Sequence, residues 1–231
     1  MTHVLVPVAI LEGGTVSPGL MNLLGTVDVT VLGYHVLPEQ TPPDQARLQY
    51  EDHATDALED LTDEFRTAGG AADSRLVFTH DREQTVERVA DEIGANALAI
   101  SGPTGDVERV LVSLSGDVAV ERILSFVAEL VGDRDIGVTL FLVTEEEATT
   151  QRLESAAERL RRDGISVQTT VVASDSPFEA LIDEVPGHDA VIMGEKAPSF
   201  RSLVFGEESD RVASASVGPV LVVRSAETLD T

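Results

Sequence analysis

The fold is decided by residues 191–224, which read VIMGEKAPSFRSLVFGEESDRVASASVGPVLVVR. An apolar strand ends at Gly194, an irregular loop reaches a second glycine at Gly206, a helical segment begins near Ser209, and the apolar strand GPVLVVR closes the stretch. This order of strand, glycine-bounded loop and helix places free backbone N–H groups at the start of the helix. Phosphate groups bind to such N–H groups. The stretch therefore predicts an α/β unit with a parallel sheet.

Upstream of this stretch, apolar strands alternate with amphipathic helices, and the pattern occurs twice. The first series of strands is HVLVPVA, VDVTVLGYHVL, SRLVFTH and ALAISG, and the second is RVLVSLSG, GVTLFLVT, SVQTTVVA and AVIMG. Residues 4–6 correspond to residues 110–112 at an offset of 106, and Gly102 corresponds to Gly194 at an offset of 92. The alternation predicts an α/β protein of two parallel-sheet units with helices on both faces.

The predicted units are residues 1–105 and 106–231. The second unit adds GPVLVVR as a fifth strand, whereas the first passes directly from ALAISG towards RVLVSLSG and is predicted to be truncated, without a fifth strand. An alternative interpretation takes residues 102–124 as a phosphate loop and helix of the first unit. We reject it because it turns RVLVSLS into a loop, although β-branched residues favour a strand.

The chain is strongly acidic, since 41 Asp and Glu residues against 16 Lys and Arg residues give a formal net charge of −25. Such a surface repels nucleic acids and anionic membranes, so nucleic-acid binding is excluded as a function class. Lys196 is the only lysine. An acidic, lysine-poor surface suits a protein that stays soluble in molar salt, where charge repulsion is screened, and we expect a salt-loving archaeal source.

Several kinds of chemistry are not expected from this composition. The chain has no cysteine, which excludes disulfides and thiolate catalysis. Its five histidines lack metal-ligand spacing, so no metal site is expected, and His35 is expected to be packed or hydrogen-bonded. The N-terminal MTHVLVPVAI has no basic region, and no apolar stretch approaches the ~20 residues that span a bilayer. We expect a cytoplasmic protein without membrane insertion.

The order of elements, with a glycine-bounded loop after the fourth strand, resembles the universal stress protein family over nearly the whole chain and most strongly over residues 189–224. The resemblance implies a flavodoxin-like five-stranded sheet and regulatory roles in stress survival, in some members beside transporters. It also implies binding of ATP or a similar adenine nucleotide in members that carry G-x2-G-x9-G-(S/T) after strand four and an Asp at the end of strand one.

This sequence departs from the nucleotide motif. Gly194 matches its first glycine, but Ala197 stands at the second, the following segment is one residue short, and Glu207 replaces the Ser or Thr. The Asp position holds Ala9 in the first unit and Ser115 in the second. Glu207 can satisfy the N–H groups of the helix start itself, and each like-charge pair at ~4 Å opposes phosphate binding by about 4 kcal/mol before screening. The phosphate site is therefore predicted to be degenerate.

If a nucleotide binds, the resemblance places it in the second unit, with ATP or AMP as the ligand and no cofactor required. Lys196 and Arg201 would offset the acidic repulsion. The residues predicted to line the site are Ser113, Leu114, Ser115, Val143, Met193, Gly194, Lys196, Ala197, Arg201, Gly206, Glu207 and Glu208.

The C-terminal strand predicts a partner. A terminal strand rich in valine presents unpaired backbone groups, which proteins usually cover. Since related proteins dimerise through this strand, we expect a homodimer; the alternative is that the first unit covers the strand within one chain. The residues are Val220, Leu221, Val222 and Val223.

Three functional hypotheses remain. The preferred one is a non-catalytic regulatory or stress-response protein that acts through ligand or protein-partner binding, for example with a transporter. The second is a sensor switch that binds ATP or AMP with the second-unit loop. The third is an adenine-nucleotide hydrolase or transferase, but no catalytic motif is recognisable and no catalytic residue is predicted. The departures at Ala9, Ser115 and Glu207 favour the first hypothesis.

Overall fold

Residues 2–114, 120–195 and 218–225 are described by the computed structural model of this protein. The chain divides into two units, Met1–Ser101 and Gly102–Thr231. Each unit has parallel strands, and helices join successive strands within the described residues, so the predicted α/β fold with two flavodoxin-like units is confirmed.

The first unit has four strands and three α-helices in residues 2–101. Its sheet has the order β3-β2-β1-β4, and every pair in it is parallel. Residues 2–101 contain no fifth strand, so this unit is truncated, as predicted. Its elements are β1 (His3–Ala9), α1 (Pro18–Leu23), β2 (Asp28–Val36), α2 (Pro43–Thr67), β3 (Ala71–Thr79), α3 (Arg82–Glu92) and β4 (Ala97–Ile100).

The second unit has five strands in its described residues. Its order is β9-β8-β5-β6-β7, again with parallel pairs. β5 lies in the middle, so the interpretation of RVLVS as a strand rather than part of a phosphate loop is confirmed. The helix predicted near Ser209 lies outside the described residues. The elements are β5 (Arg109–Ser113), α4 (Val120–Val131), β6 (Gly137–Val143), α5 (Glu147–Arg162), β7 (Val167–Val172), α6 (Pro177–Glu184), β8 (Ala190–Gly194) and β9 (Val220–Val223).

The core is aliphatic, and several strands are buried on both faces. All five residues of β8 are buried, and so are the four residues of β9. Parallel strands covered by helices on both faces need such continuous apolar runs, because neither face meets water. Phe65 on α2 and Phe141 on β6 are the bulkiest of the fully buried side chains described.

The sheet register corrects one predicted correspondence between the units. Val4 pairs with Ala97 in the first unit, and Val110 pairs with Ala190 in the second. The first strands therefore correspond at an offset of 106, as predicted, but the fourth strands correspond at 93 instead of 92. Gly194 thus corresponds to Ser101 and not to Gly102. The match of Gly102 to Gly194 was wrong by one residue. Two glycines need not occupy equivalent positions, whereas the hydrogen-bond register of the strands defines equivalence directly.

A side-chain contact at the start of the strands supports the corrected offset. In the first unit, the backbone N–H of His3 donates to Asn96 Oδ1 at 2.8 Å. In the second unit, the backbone N–H of Arg109 donates to Asp189 Oδ2 at 2.9 Å. His3 and Arg109 are 106 residues apart and Asn96 and Asp189 are 93 apart, so the same bond recurs at the same place in both sheets.

A second recurring contact protects the outer strand of each sheet. Near the end of α2, the guanidinium of Arg66 donates from Nε and Nη2 to the carbonyl of Ala72 at 3.2 and 2.9 Å. Near the end of α5, Arg161 donates in the same way to the carbonyl of Val167 at 3.2 and 3.0 Å. A planar guanidinium suits such a double bond to one acceptor. Each arginine therefore ties the second helix of its unit to the strand that follows.

We expect Arg161→Ala to lower the free energy of unfolding by about 1 kcal/mol, because it leaves the Val167 carbonyl without its charged donor at a partly exposed site. Urea denaturation in molar KCl, followed by far-UV circular dichroism, measures the change. Arg152→Ala on the exposed face of the same helix is the matched control and should stay within about 0.5 kcal/mol of the wild type. An equal loss in both variants would contradict the assigned role of Arg161.

Gly102 and Gly218 approach each other closely in the second unit. A β-carbon on Gly102 would lie 2.3 Å from the carbonyl carbon and oxygen of Gly218 and 2.8 Å from the nitrogen of Pro219. Gly218 itself has a φ of +75° and would place a β-carbon 2.9 Å from the carbonyl oxygen of Asp189. The segment that leads into β9 is therefore held by backbone-to-backbone contacts that only glycine allows.

Candidate functional site

The order of strands in the second unit reverses between β5 and β8. From β5 the chain proceeds through β6 and β7 to one side, and then returns to add β8 and β9 on the other side. In open parallel sheets the crevice beyond the carboxyl ends of the strands at such a reversal is the usual ligand site. We therefore take the ends of β5 and β8 as the candidate site.

Five of the predicted site residues lie at or beside this reversal. Ser113 at the end of β5 pairs with Met193 on β8, and Leu114 and Gly194 follow them at the carboxyl ends. Val143 ends the neighbouring strand β6. The structure therefore brings together Ser113, Leu114, Met193 and Gly194, with Val143 one strand away.

Most of these side chains are covered. Ser113 is 1% exposed, Met193 0% and Leu114 6%, and the Leu114 N–H donates to the Phe141 carbonyl at 2.9 Å. Val143 is the partly exposed member of the group. Of these residues, Val143 is therefore the one whose side chain can contact a ligand at this edge. The buried residues lie beneath the surface there.

The phosphate side of the predicted site lies outside the described residues. The structure does not describe the predicted site residues that follow Glu195, nor the one that follows Leu114. The residues concerned are Ser115, Lys196, Ala197, Arg201, Gly206, Glu207 and Glu208.

Sequence reasoning assigned no role to Glu195, the residue that follows β8. Its backbone N–H donates to the Val223 carbonyl at 2.9 Å, and its Oε2 accepts from the backbone N–H of Ser225 at 2.9 Å. Arg122 at the start of α4 donates from Nη1 to the Arg224 carbonyl at 3.0 Å. The Glu195 carboxylate therefore lies at the end of β8 and accepts the backbone N–H of Ser225 there. Its position directly after Gly194 was the signal that could have found it.

The corresponding edge of the first unit is filled by its own loop. The N–H of Gly14 donates back to the carbonyl of Ala9 at the end of β1, at 3.1 Å. A β-carbon on Gly14 would lie 2.9 Å from that same oxygen, so the loop is closely apposed to the strand. Ser101, after β4, donates from Oγ to the Thr15 carbonyl at 2.9 Å. These contacts link the ends of β1 and β4, where a ligand of this unit would have to enter.

His35 on β2 lies in an aromatic cluster. Its ring is edge-on to Tyr50 at 6.0 Å and to Phe78 at 6.3 Å between centroids. On the neighbouring residue Tyr34, the guanidinium of Arg82 lies 5.4 Å above the ring. The expectation of a packed histidine is confirmed. Within residues 2–114, 120–195 and 218–225, no group of three or more metal-ligating side chains could hold a metal ion.

Two open grooves lie between the first and second helices of the units, away from the predicted site residues. The groove between α4 and α5 has a volume of about 580 Å³, and Glu121 and Arg159 form an ion pair within it. The groove between α1 and α2 has a volume of about 800 Å³ and carries Asp60, Asp63 and Glu64. Neither groove is lined by a residue of the predicted nucleotide site. In the described part of the chain, no helix is long and apolar enough to cross a membrane.

Comparison with known proteins bears on the identity of the second unit. Residues 138–224 match the model of the universal stress protein family. The chain is similar to the crystal structure of a universal stress protein from Archaeoglobus fulgidus DSM 4304, with a TM-score of 0.67 and 18% identity over 97% of each chain. It is also similar to the cytoplasmic domain of a prokaryotic cation chloride cotransporter, with a TM-score of 0.50 and 11% identity over 98% of this chain and 96% of that one. No curated protein sequence matches it.

At 18% and 11% identity these structural likenesses concern the fold alone. The family match, by contrast, includes β6 to β9 and the glycine-bounded loop on which the resemblance was based. Residues 138–224 match the universal stress protein family, so the resemblance inferred from the sequence is confirmed over those residues.

Proposed function

We propose that this protein is a non-catalytic stress-response regulator that acts through binding and whose nucleotide site is degenerate. The match of residues 138–224 to the universal stress protein family supports the stress-response role. The observation that carries the rest is Glu195, whose carboxylate stands at the end of β8 and accepts the backbone N–H of Ser225. A phosphate at this edge would compete with a built-in anion for the same kind of donor.

Charge along the loop supports the proposal. From Gly194 to the start of the predicted helix, the sequence carries the carboxylates of Glu195, Glu207 and Glu208 against the cations Lys196 and Arg201. A triphosphate adds further negative charge to an already acidic loop, whereas phosphate sites normally offer free N–H groups and positive charge. Salt at molar concentration weakens this repulsion but supplies no donor in place of the missing hydroxyl.

The partner proposed for this regulator is another protein. A transporter's cytoplasmic domain shares the fold of this chain, which supports a transporter as the class of partner. Association of two chains through β9 also stays a prediction. The side chains of Val220 to Val223 are at most 5% exposed in the single chain, so they offer little side-chain surface to such an association. The alternative is that the first unit covers β9 within one chain. In that case β9 contributes nothing to the association of two chains.

A sensor that binds ATP or AMP is the second candidate function. It is favoured by the strand reversal between β5 and β8, the retained Gly194 and the partly exposed Val143 beside it. In this alternative Lys196 and Arg201 neutralise the acidic loop. The two candidates differ in one measurable property, the affinity for adenine nucleotides.

Thermal unfolding in molar KCl tests the proposal, with ATP, ADP, AMP and a cyclic dinucleotide as ligands. We expect no nucleotide to shift the transition of the wild-type protein. A ligand at 100 times its dissociation constant would add about 2.7 kcal/mol, which corresponds to a rise of about 5–10 °C for a protein of this size. A rise of that size with ATP, lost in Lys196→Ala, would contradict the proposal and establish the sensor.

A variant with two residues of the family motif restored shows whether the rest of the loop and scaffold can bind a nucleotide. Ala197→Gly together with Glu207→Ser returns the second glycine and the hydroxyl donor. We expect this double variant to gain an ATP-dependent rise that the wild type lacks. Pull-down experiments with the wild type and the double variant then show whether partner binding survives the change in the loop.

A further inference from the structure

We infer that β7, the outer strand of the second unit, pairs with β7 of a second copy of this chain around a two-fold axis at Thr170. The inference rests on backbone groups that β7 leaves open, on the absence of charge along the strand, and on the self-complementary pattern of its central residues.

The hydrogen bonds to β6 identify which residues of β7 face outwards. Val138 N–H donates to the Ser166 carbonyl at 2.8 Å, and Thr144 N–H donates to the Val172 carbonyl at 3.0 Å. In a parallel pair, alternate residues of one strand bond the neighbour. The even-numbered positions from 166 to 172 therefore face β6, and Val167, Thr169 and Val171 direct their N–H and carbonyl groups to the other side.

The carbonyl of one of these three residues is already occupied. The Val167 carbonyl accepts both bonds from Arg161. For Thr169 and Val171, the described residues provide no backbone partner on the outer side. At Thr169 and Val171 the open edge thus consists of two N–H groups and two carbonyls, spaced as one repeat of a strand.

The edge also lacks the usual protection against pairing. Proteins block edge strands with charges, proline or bulges. β7 reads VQTTVV without a charge or a proline, and Val171 is 40% exposed. The outer strand of the first unit, β3, carries Asp73 and Arg75. In a chain of net charge −25, the uncharged strand β7 is where two copies approach with little direct repulsion between strands.

Antiparallel pairing of two β7 strands satisfies all four backbone groups of Thr169 and Val171. With the axis at Thr170, Thr169 of each copy bonds Val171 of the other through both its N–H and its carbonyl, which makes four hydrogen bonds. The two Thr170 residues then oppose each other as a non-hydrogen-bonded pair, with Cα atoms about 4.5 Å apart. The contact is isologous and closes at two copies, whereas pairing of β7 with β3 would be heterologous.

One neighbouring group makes the interface sensitive to an added carboxylate. Thr169 donates from Oγ1 to Glu154 Oε1 at 2.7 Å, so this carboxylate lies beside the face that carries the side chains of Thr169 and Val171. In the paired copies Val171 stands opposite Thr169 of the other chain, close to that chain's Glu154. An acid at position 171 would therefore meet a like charge across the interface.

Sedimentation velocity of the full chain in molar KCl, over a wide range of protein concentration, tests the inference. We expect a monomer–dimer equilibrium in the wild type and its loss in Val171→Asp. Val36→Asp is the matched control, since Val36 is a similarly exposed valine at 38%, but lies on β2 between two bonded neighbours. A monomer at all concentrations, or a dimer that Val171→Asp leaves intact, would overturn the inference; the second result would direct attention to β9.

A cross-link tests the predicted axis. Because the chain has no cysteine, Thr170→Cys introduces a single thiol at the position where two copies oppose each other. A Cα separation of about 4.5 Å lies within the range that a disulfide spans. We expect mild oxidation to produce a covalent dimer of Thr170→Cys, and Ser74→Cys on β3 to stay monomeric. Equal cross-linking of both variants, or cross-linking only when the two are mixed, would overturn the two-fold pairing of β7.

Discussion

Gly102→Ala is expected to lower the free energy of unfolding of the second unit by about 3 kcal/mol. The added methyl group would lie 2.3 Å from the backbone of Gly218, a distance that β-carbons do not adopt. The obstructing atoms belong to the main chain and not to the end of a flexible side chain, so relief requires a shift of the segment that leads into β9. Denaturation in urea, followed by far-UV circular dichroism in molar KCl, measures the change.

Gly105→Ala is the matched control for this prediction. Gly105 lies in the same connecting segment, and a β-carbon there would meet no atom within 4 Å. We expect it to match the wild type or to be slightly more stable, since alanine reduces the freedom of the unfolded chain. Equal stability of the two variants would show that the segment before β9 adjusts without cost.

Phe141→Ala is expected to lower the free energy of unfolding of the second unit by about 3–5 kcal/mol. Phe141 is 0% exposed in β6 and pairs in register with Ser113 at the carboxyl end of β5. Removing its ring takes away buried apolar area and leaves a cavity beneath the candidate site. Phe141→Leu retains most of the volume and should cost less than about 1.5 kcal/mol.

The equivalent change in the first unit serves as a comparison. Phe65 on α2 is 1% exposed, and we expect Phe65→Ala to cost a similar amount in that unit. Both tyrosines, Tyr34 and Tyr50, belong to the first unit, so tyrosine fluorescence follows its unfolding. If the units fold independently, Phe65→Ala shifts the fluorescence transition and Phe141→Ala leaves it in place. Identical fluorescence shifts in both variants would show that the units unfold together.

The alternation of strands and helices was predictable because it depends on local patterns. Runs such as RVLVS and AVIMG are apolar enough to be recognised as buried strands, and they are β5 and β8. The same patterns predicted two parallel α/β units and a first unit without a fifth strand. The motif around Gly194 predicted the family, and the family match over residues 138–224 agrees with it.

The candidate site could be predicted only in part. The sequence placed Ser113, Met193 and Gly194 at one sheet edge, and the structure brings them together at the strand reversal. It did not predict that Ser113 and Met193 would be almost fully covered. Burial depends on what the rest of the fold places over a residue, which no window of a few residues contains.

By itself, the sequence determined the order of the elements, the acidic surface and the departures from the nucleotide motif, since each of these follows from residue identity and local spacing. Only the tertiary structure decided the contacts between residues distant in the chain. The bond from Ser225 to Glu195 spans 30 residues and the bond from Ser101 to Thr15 spans 86. The tertiary structure alone also decided two features of the sheets. These are the one-residue correction to the fourth strands and the open edge at Thr169 and Val171. In strands that are buried on both faces, the packing of the whole sheet sets the hydrogen-bond register, because a one-residue slip does not exchange an apolar face for a polar one.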